Sequence, residues 1–281
     1  MKKQAGPAKK ILVVYNPGKP GMGSRISELR KLLRKKNARV TVKDASSALP
    51  SADVCIVLGG DGTMLKAGRK LSPKNIPVIG VNMGSLGFLA EFSYSDLKGF
   101  IPRILSGRFT TQSRIVLNLA VTRRGRTVYC RDAINDCIIH TGQSMRVALF
   151  KVRINNEPLA EYTGDGLIFS TPTGSTAYSL AANGPIVYPE LPVLAITPIC
   201  PHTLSQRPII VPSDDMVSVT IEKYKSEKHV TLSVDGQETF SLNTDDRINI
   251  KKSQGRFLLV VHPGHNYYNI LQSKLGWGRL R

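Results

Sequence analysis

One carboxylate stands among three glycines in Gly59-Gly60-Asp61-Gly62-Thr63, directly after the apolar run Val54 to Leu58. Glycine lets the backbone approach a phosphate closely and present its N–H groups. An apolar run of this kind reads as a buried strand, so Asp61 falls at its C-terminal end. That is where open α/β sheets bind ligands. A helix predicted from Thr63 to Lys70 would add the positive end of its dipole. A tight turn of glycines with a capping Asp would read the same way. No Gly-Lys-Ser/Thr follows, so this is not the P-loop of ATPases.

Two further stretches carry polar chemistry. Asn82-Met-Gly-Ser-Leu-Gly-Phe-Leu89 follows another strand-like run, Pro77 to Val81, which brings Asn82 beside Asp61 if the two strands are neighbours. Thr163 to Pro185 concentrates small hydroxyl residues, glycines and Tyr178, with a strand leading into a loop and then a short helix from about Ser175. Hydroxyls and bare backbone suit ribose and base recognition, although a Ser/Thr-rich connection full of caps is the plainer reading. His262 and His265 lie three apart, but Pro263-Gly264 breaks any helix between them and no Cys or carboxylate joins them, so no metal site is expected. Cys55, Cys130, Cys137 and Cys200 form no CxxC pair and read as reduced thiols, with Cys55 and Cys137 in apolar runs.

These residues need a scaffold, and the pattern changes once along the chain. Up to about residue 106 strands alternate with helices: Ile11 to Tyr15, Arg39 to Lys43, Val54 to Leu58 and Pro77 to Val81 as strands, and a helix capped by Ser24 with Ile26, Leu29, Leu32 and Leu33 on one face. That alternation predicts a parallel, Rossmann-like α/β domain over 1–106. From 107 to 265 short strands follow one another, from Arg114 to Thr122 through Phe257 to Val261, broken by turns such as Asn155-Asn156 and Asp235-Gly236. This predicts an all-β, sandwich-like second domain. Tyr267, Tyr268, Leu271 and Leu275 then recur at helical spacing, so 266–281 is expected to pack back on the first domain. With 281 residues and 41% hydrophobic content the chain can bury a core. No run approaches transmembrane length and no signal-peptide core is present, so a cytoplasmic protein is expected. The net charge of +19 is a weak vote for polyanionic ligands, because 6% aromatic content offers no stacking platform for nucleic acid.

Together these blocks resemble the NAD kinase family over nearly the whole chain. Gly59 to Thr63 is shared with diacylglycerol and sphingosine kinases, but Asn82 to Leu89, Asp165 to Ser179, Ser233-Val-Asp-Gly-Gln237 and Leu271 to Trp277 are similar to NAD kinase blocks. The lipid kinases carry a downstream Gly-Thr-Ala-Asn-Asp that is absent here. The resemblance implies ATP-dependent phosphorylation of the 2′-hydroxyl of the adenosine ribose of NAD. It implies Asp61 as the general base or orienter of that hydroxyl, and Gly59, Gly60, Gly62 and Thr63 facing the donor phosphates. It implies a dinucleotide site of Asp61, Gly62, Asn82, Phe88, Asn135, Asp136, Asp165, Thr176, Ala177, Tyr178, Ser179, Ala181 and Gln237, in a cleft between the two domains. Phe88 would lie along the adenine and Asp165 toward the nicotinamide. Mg²⁺ would arrive with ATP, and no tightly bound prosthetic group is expected. The partners implied are NAD, ATP and a second copy of the chain in a homodimer or homotetramer, without nucleic acid or membrane. Three positions depart from the pattern: Asp136 where Glu is common, Ala181 where Ser is, and Asn183 where Gly is frequent. The alternatives are a lipid kinase or a non-catalytic NAD(P)-binding protein. The downstream lipid-kinase signature would favour the first, and the presence of Asp61 argues against the second.

Overall fold

In the computed structural model the described residues are 7–84, 87–142, 148–203, 205–222, 230–264 and 266–276. The chain divides into two units, Met1–Ser113 with Phe257–Arg281, and Arg114–Arg256.

The first unit alternates β1 (Lys10–Tyr15), α1 (Met22–Arg34), β2 (Arg39–Asp44), β3 (Val54–Leu58), α2 (Asp61–Leu71), β4 (Val78–Val81), α3 (Tyr94–Ser106) and β5 (Thr111–Arg114). Its six-stranded sheet runs β2-β1-β3-β4-β18-β5, where β18 is Phe257–Val260. The pairs β2 with β1, β1 with β3, β3 with β4, and β4 with β18 are all parallel. Every residue of β3 and β4 is buried, as a parallel strand covered on both faces requires. β2, at the sheet edge, turns Arg39, Thr41 and Lys43 to solvent, which keeps the edge from pairing with another chain. Leu58 lies opposite Val81, so the segments leaving β3 and β4 emerge side by side.

The second unit is two six-stranded antiparallel sheets. One has the order β10-β9-β14-β17-β6-β7, with β6 Leu117–Arg123, β7 Arg126–Ala133, β9 Ala148–Ile154, β10 Glu157–Gly164, β14 Val217–Ile221 and β17 Arg247–Lys252. The other has the order β13-β12-β11-β8-β15-β16, with β8 Asp136–His140, β11 Gly166–Ser170, β12 Val193–Ile199, β13 Ile209–Pro212, β15 Val230–Val234 and β16 Glu238–Leu242. Alternate residues of both sheets meet in one core, with Leu119, Phe150 and Ile250 from the first and Ile139, Phe169 and Leu232 from the second. This is the sandwich that the period-two pattern predicts.

Several local expectations are corrected. β18 reads as a β-domain strand, yet it pairs with β4 in the first unit's sheet. An apolar four-residue strand fits either sheet, and nothing local names its partner. The run Arg114 to Thr122 splits into β5 and β6, because the chain changes sheets there. α1 begins at Met22 after Gly21 (φ 69°), and the hydroxyl of Ser24 donates to the Gly21 carbonyl inside the first turn rather than capping. The terminal helix α5 (Tyr267–Leu275) buries Ile270 and Leu271, while Tyr268 and Leu275 are exposed. Asn266 caps it by accepting from the Asn269 N–H at 2.8 Å. Ser85, Leu86, Arg146, His265 and Trp277, which fall in expected motifs or elements, lie outside the described residues.

Candidate active site

Asp61 is the first residue of α2, not a loop residue before it. A carboxylate in the first turn faces the positive end of the helix dipole, which favours an earlier start than Thr63. The side chain reaches into the segment that follows β4. Its Oδ2 accepts from the Phe88 N–H at 2.9 Å, and its Oδ1 accepts from the N–H groups of Leu89 and Ala90 at 3.1 and 3.2 Å. The two glycine-containing blocks of the first unit are thus parts of one structure, a carboxylate and the backbone wrapped around it. Gly87 is required by the approach, since a Cβ there would run into the Asp61 carboxylate.

The glycine loop is tight in the same way. A Cβ on Gly59 would stand 2.5 Å from Thr63 Oγ1. The Gly59 N–H bonds the Val81 carbonyl at 2.9 Å and the Thr63 N–H bonds the Gly60 carbonyl at 3.0 Å. Those two donors serve the fold. Asn82 follows β4. Its Oδ1 accepts from the Gly84 N–H at 2.6 Å, and its Nδ2 is buried without a partner. A buried amide donor left unpaired is costly unless a ligand completes it. Phe88 is half-buried, and its backbone N–H is spent on Asp61. α2 is tied down on its far side by Lys70, whose Nζ donates to the carbonyls of Ala45, Ser46 and Ser47 at 2.6–2.9 Å.

In the second unit, Asn135 and Asp136 form the entry to β8. Asp136 is 3% exposed, and its carboxyl accepts no hydrogen bond from any described residue. Burial pushes it up to about 7, and the neighbouring Asp235 charge pushes in the same direction. Beside it runs the hydroxyl-rich segment. Thr171 donates its N–H to the Asn135 carbonyl at 2.9 Å and its hydroxyl to the Ile134 carbonyl at 2.6 Å. Gly174 packs so closely on Asn135 that a Cβ would enter its carbonyl. Thr173 Oγ1 is buried without a partner, a second unfilled polar group that the sequence did not single out.

The remaining expected residues separate into groups. Thr176 and Ala177 are half-buried, while Tyr178 and Ala181 are exposed on the short helix α4 (Tyr178–Ala181). Ser179 is fully buried and its hydroxyl pairs with Thr197 Oγ1 at 3.0 Å, so it anchors the segment to β12 instead of facing a ligand. Asn183 adopts φ 63°, as the frequent Gly at that position implies. Gln237 is exposed just past the Asp235-Gly236 turn. Asp165 precedes β11 at the end opposite Asp136: Gly166 pairs with His140 and Ser170 with Asp136, five residues away from Asp165. At about 3.4 Å per residue that is roughly 17 Å, so the second unit does not bring Asp165 to the Asn135–Asp136 turn. Among the described residues no group of three or more His, Cys, Asp or Glu could hold a metal. His262 accepts from the Gly264 N–H through Nδ1 and packs on Phe92, while His265 is outside the description. No described helix is long and apolar enough to cross a membrane.

Comparison with known proteins matches segments of both units. A family model described as the ATP-NAD kinase N-terminal domain matches residues 47–109, and one described as the ATP-NAD kinase C-terminal domain matches 134–262. The chain is 41% identical to the NAD kinase of Geobacter sulfurreducens over 81% of its length and 79% of that protein's. It is 37% identical to the NAD kinase of Nitrosospira multiformis over 96% of each chain. Among solved structures it is similar to yeast NADH kinase complexed with NADH, with TM-score 0.88 and 25% identity, covering 98% of this chain and 89% of that one. An NAD kinase from Archaeoglobus fulgidus in complex with ATP shares the fold at TM-score 0.74 and 22% identity, covering 95% and 98%.

Proposed function

The chain belongs to the NAD kinase family, and from that premise we propose that it transfers the γ-phosphate of ATP to the 2′-hydroxyl of the adenosine ribose of NAD, making NADP. The observation that carries the reading is the Asp61 carboxylate held by three consecutive N–H groups of the second block. A carboxylate offers about four lone-pair sites, so one acceptor direction remains for a substrate hydroxyl. A lipid kinase shares the glycine loop but would carry a downstream Gly-Thr-Ala-Asn-Asp that is absent here.

Asp61 orients the 2′-hydroxyl and takes its proton as the oxygen–phosphorus bond forms and the bond to the β-phosphate oxygen breaks. ADP leaves, and the proton passes to solvent. Phosphoryl transfer asks the protein mainly for positioning and charge neutralisation. The donor phosphates are read as meeting Gly60, Gly62 and the N-terminus of α2, whose dipole favours negative charge. Mg²⁺ enters as part of the substrate MgATP. In the second unit Asp136 accepts from ribose, and Thr173 supplies an unfilled polar atom, as Asn82 does in the first unit.

The test is purified protein with NAD and MgATP, the product read by an NADP-specific dehydrogenase. NADP formation is expected. No NADP, together with phosphorylation of diacylglycerol or sphingosine, would overturn the reading. We place the reaction in the cytoplasm and expect a homodimer or homotetramer in which a neighbour's β domain completes the dinucleotide site. The position of Asp165, far along β11 from Asp136, supports that expectation. A sedimenting monomer with full activity would contradict it.

A further inference from the structure

Asp235 begins as an ordinary turn residue. With Gly236 it closes the hairpin from β15 to β16, and both residues have positive φ, 51° and 62°. Such a turn favours Asp followed by Gly, which by itself explains the pair. The side chain does something the turn does not need. Its Oδ1 lies 3.1 Å from the Ile134 N–H, 2.7 Å from the Asn135 N–H and 3.2 Å from the Asp136 N–H, and Oδ2 lies 3.2 Å from the Ile134 N–H. In return the Asp235 N–H donates to the Asp136 carbonyl at 3.0 Å. One carboxylate oxygen therefore holds three successive backbone donors, and both acids are buried, Asp235 at 8% exposure and Asp136 at 3%.

We propose that Asp235 is the positioning residue of the ribose-binding turn: it fixes the Asn135–Asp136 backbone and, as a second carboxylate beside it, governs the charge that Asp136 presents to NAD. The proposal rests on the reading of Asp136 as a ribose acceptor. A vicinal diol donates hydrogen bonds, so it is held best by an ionised carboxylate. The groups around Asp136 are few. Its own strand carries the buried Cys137 thiol, pushed well up by burial, and His140 four residues along, lowered by burial. The neighbouring strand β11 places Ser170 opposite it, and the following segment adds Thr171 and Thr173. Asp235 is the one charge among the described residues that acts on Asp136, and it opposes ionisation.

The two roles separate by substitution. Asp235→Asn keeps the amide oxygen at Oδ1, and with it the three N–H bonds, but removes the charge. Asp235→Ala removes both. NAD affinity is measured by calorimetry on the full chain without ATP, from roughly pH 5 to pH 9, on either side of the Asp136 titration. For the wild type the dissociation constant is expected to fall as pH rises through about 7. In Asp235→Asn the step moves to lower pH, because the charge that opposes ionisation of Asp136 is gone, and tight binding at high pH is retained. Asp235→Ala binds NAD about 10–100-fold more weakly at every pH, from loss of charge-assisted bonds. A step in Asp235→Asn at the wild-type pH overturns the proposal, and this readout stands even if Asp235→Ala fails to fold. Asp136→Asn tells the two readings apart. Loss of the step supports Asp136 as the titrating ribose ligand. A step that persists in Asp136→Asn overturns the ribose reading itself, whatever Asp235 does.

Discussion

Asp61 in the first unit and Asp136 in the second are both read as acceptors for substrate hydroxyls, yet their surroundings treat them in opposite ways. Asp61 is half-exposed and receives three backbone N–H groups from Phe88, Leu89 and Ala90. Asp136 is buried, receives none, and faces a second carboxylate. The first is an acceptor that the fold has built a segment to hold. The second is an acceptor whose ionisation the fold opposes, by burial and by a second carboxylate. Functional sites commonly break local rules in this way, and the cost is offset elsewhere in the molecule.

Four substitutions break or sharpen that contrast. The largest effect is expected from Asp61→Asn, which keeps the shape and removes the base: kcat falls about 10²–10⁴-fold while NAD affinity changes little, and near-wild-type turnover would end the role. Next is the stability of Asp136→Asn. The folded value of Asp136 is raised, from 3.8 to about 7. A raised acid favours folding in its protonated form, so its contribution is full below about pH 4 and is lost as pH rises through about 7. Asp136→Asn should therefore leave stability nearly unchanged near pH 4 and raise it by roughly 4–5 kcal/mol at pH 8, at about 1.4 kcal/mol per unit. Urea unfolding at the two pH values checks this, and an equal effect at both would contradict it. Gly87→Ala forces a methyl into the Asp61 carboxylate. It should cost about 1–3 kcal/mol of stability and about 10²-fold in kcat by displacing the base; a fully active variant would show that the wrapping segment is dispensable. The smallest change is Asp136→Glu, which restores the residue common in the family and should keep KM for NAD within about threefold.

How much of this was legible in the sequence depends on whether the cause was local. The α/β alternation and the sandwich pattern were readable because buried faces impose periods of 3.6 and 2. β10 and β16 were not readable as strands. Both are sheet edges with polar, half-exposed sequences, Glu157-Pro-Leu-Ala-Glu and Glu238-Thr-Phe-Ser. β18 was visible as a strand but not as a member of the first sheet, because pairing is a long-range fact. The glycines marked Asp61, but nothing in the residues around it announced that Phe88 to Ala90 would supply its hydrogen bonds. Asp235 was hidden by its neighbour: Asp-Gly already has a sufficient explanation as a turn. Ser179 misled in the opposite sense, since a hydroxyl bound to Thr197 looks in sequence like one meant for a ligand.

The division of labour between the two carboxylates is tested most directly by steady-state kinetics on Asp61→Asn and Asp136→Ala, with kcat and both KM values measured side by side. The account predicts a crossed result. Asp61→Asn loses kcat and keeps its KM for NAD. Asp136→Ala keeps much of its kcat, raises KM for NAD about 10–100-fold, and leaves KM for ATP nearly unmoved. Parallel losses in the two variants, or an Asp136→Ala defect shared equally between NAD and ATP, would contradict it.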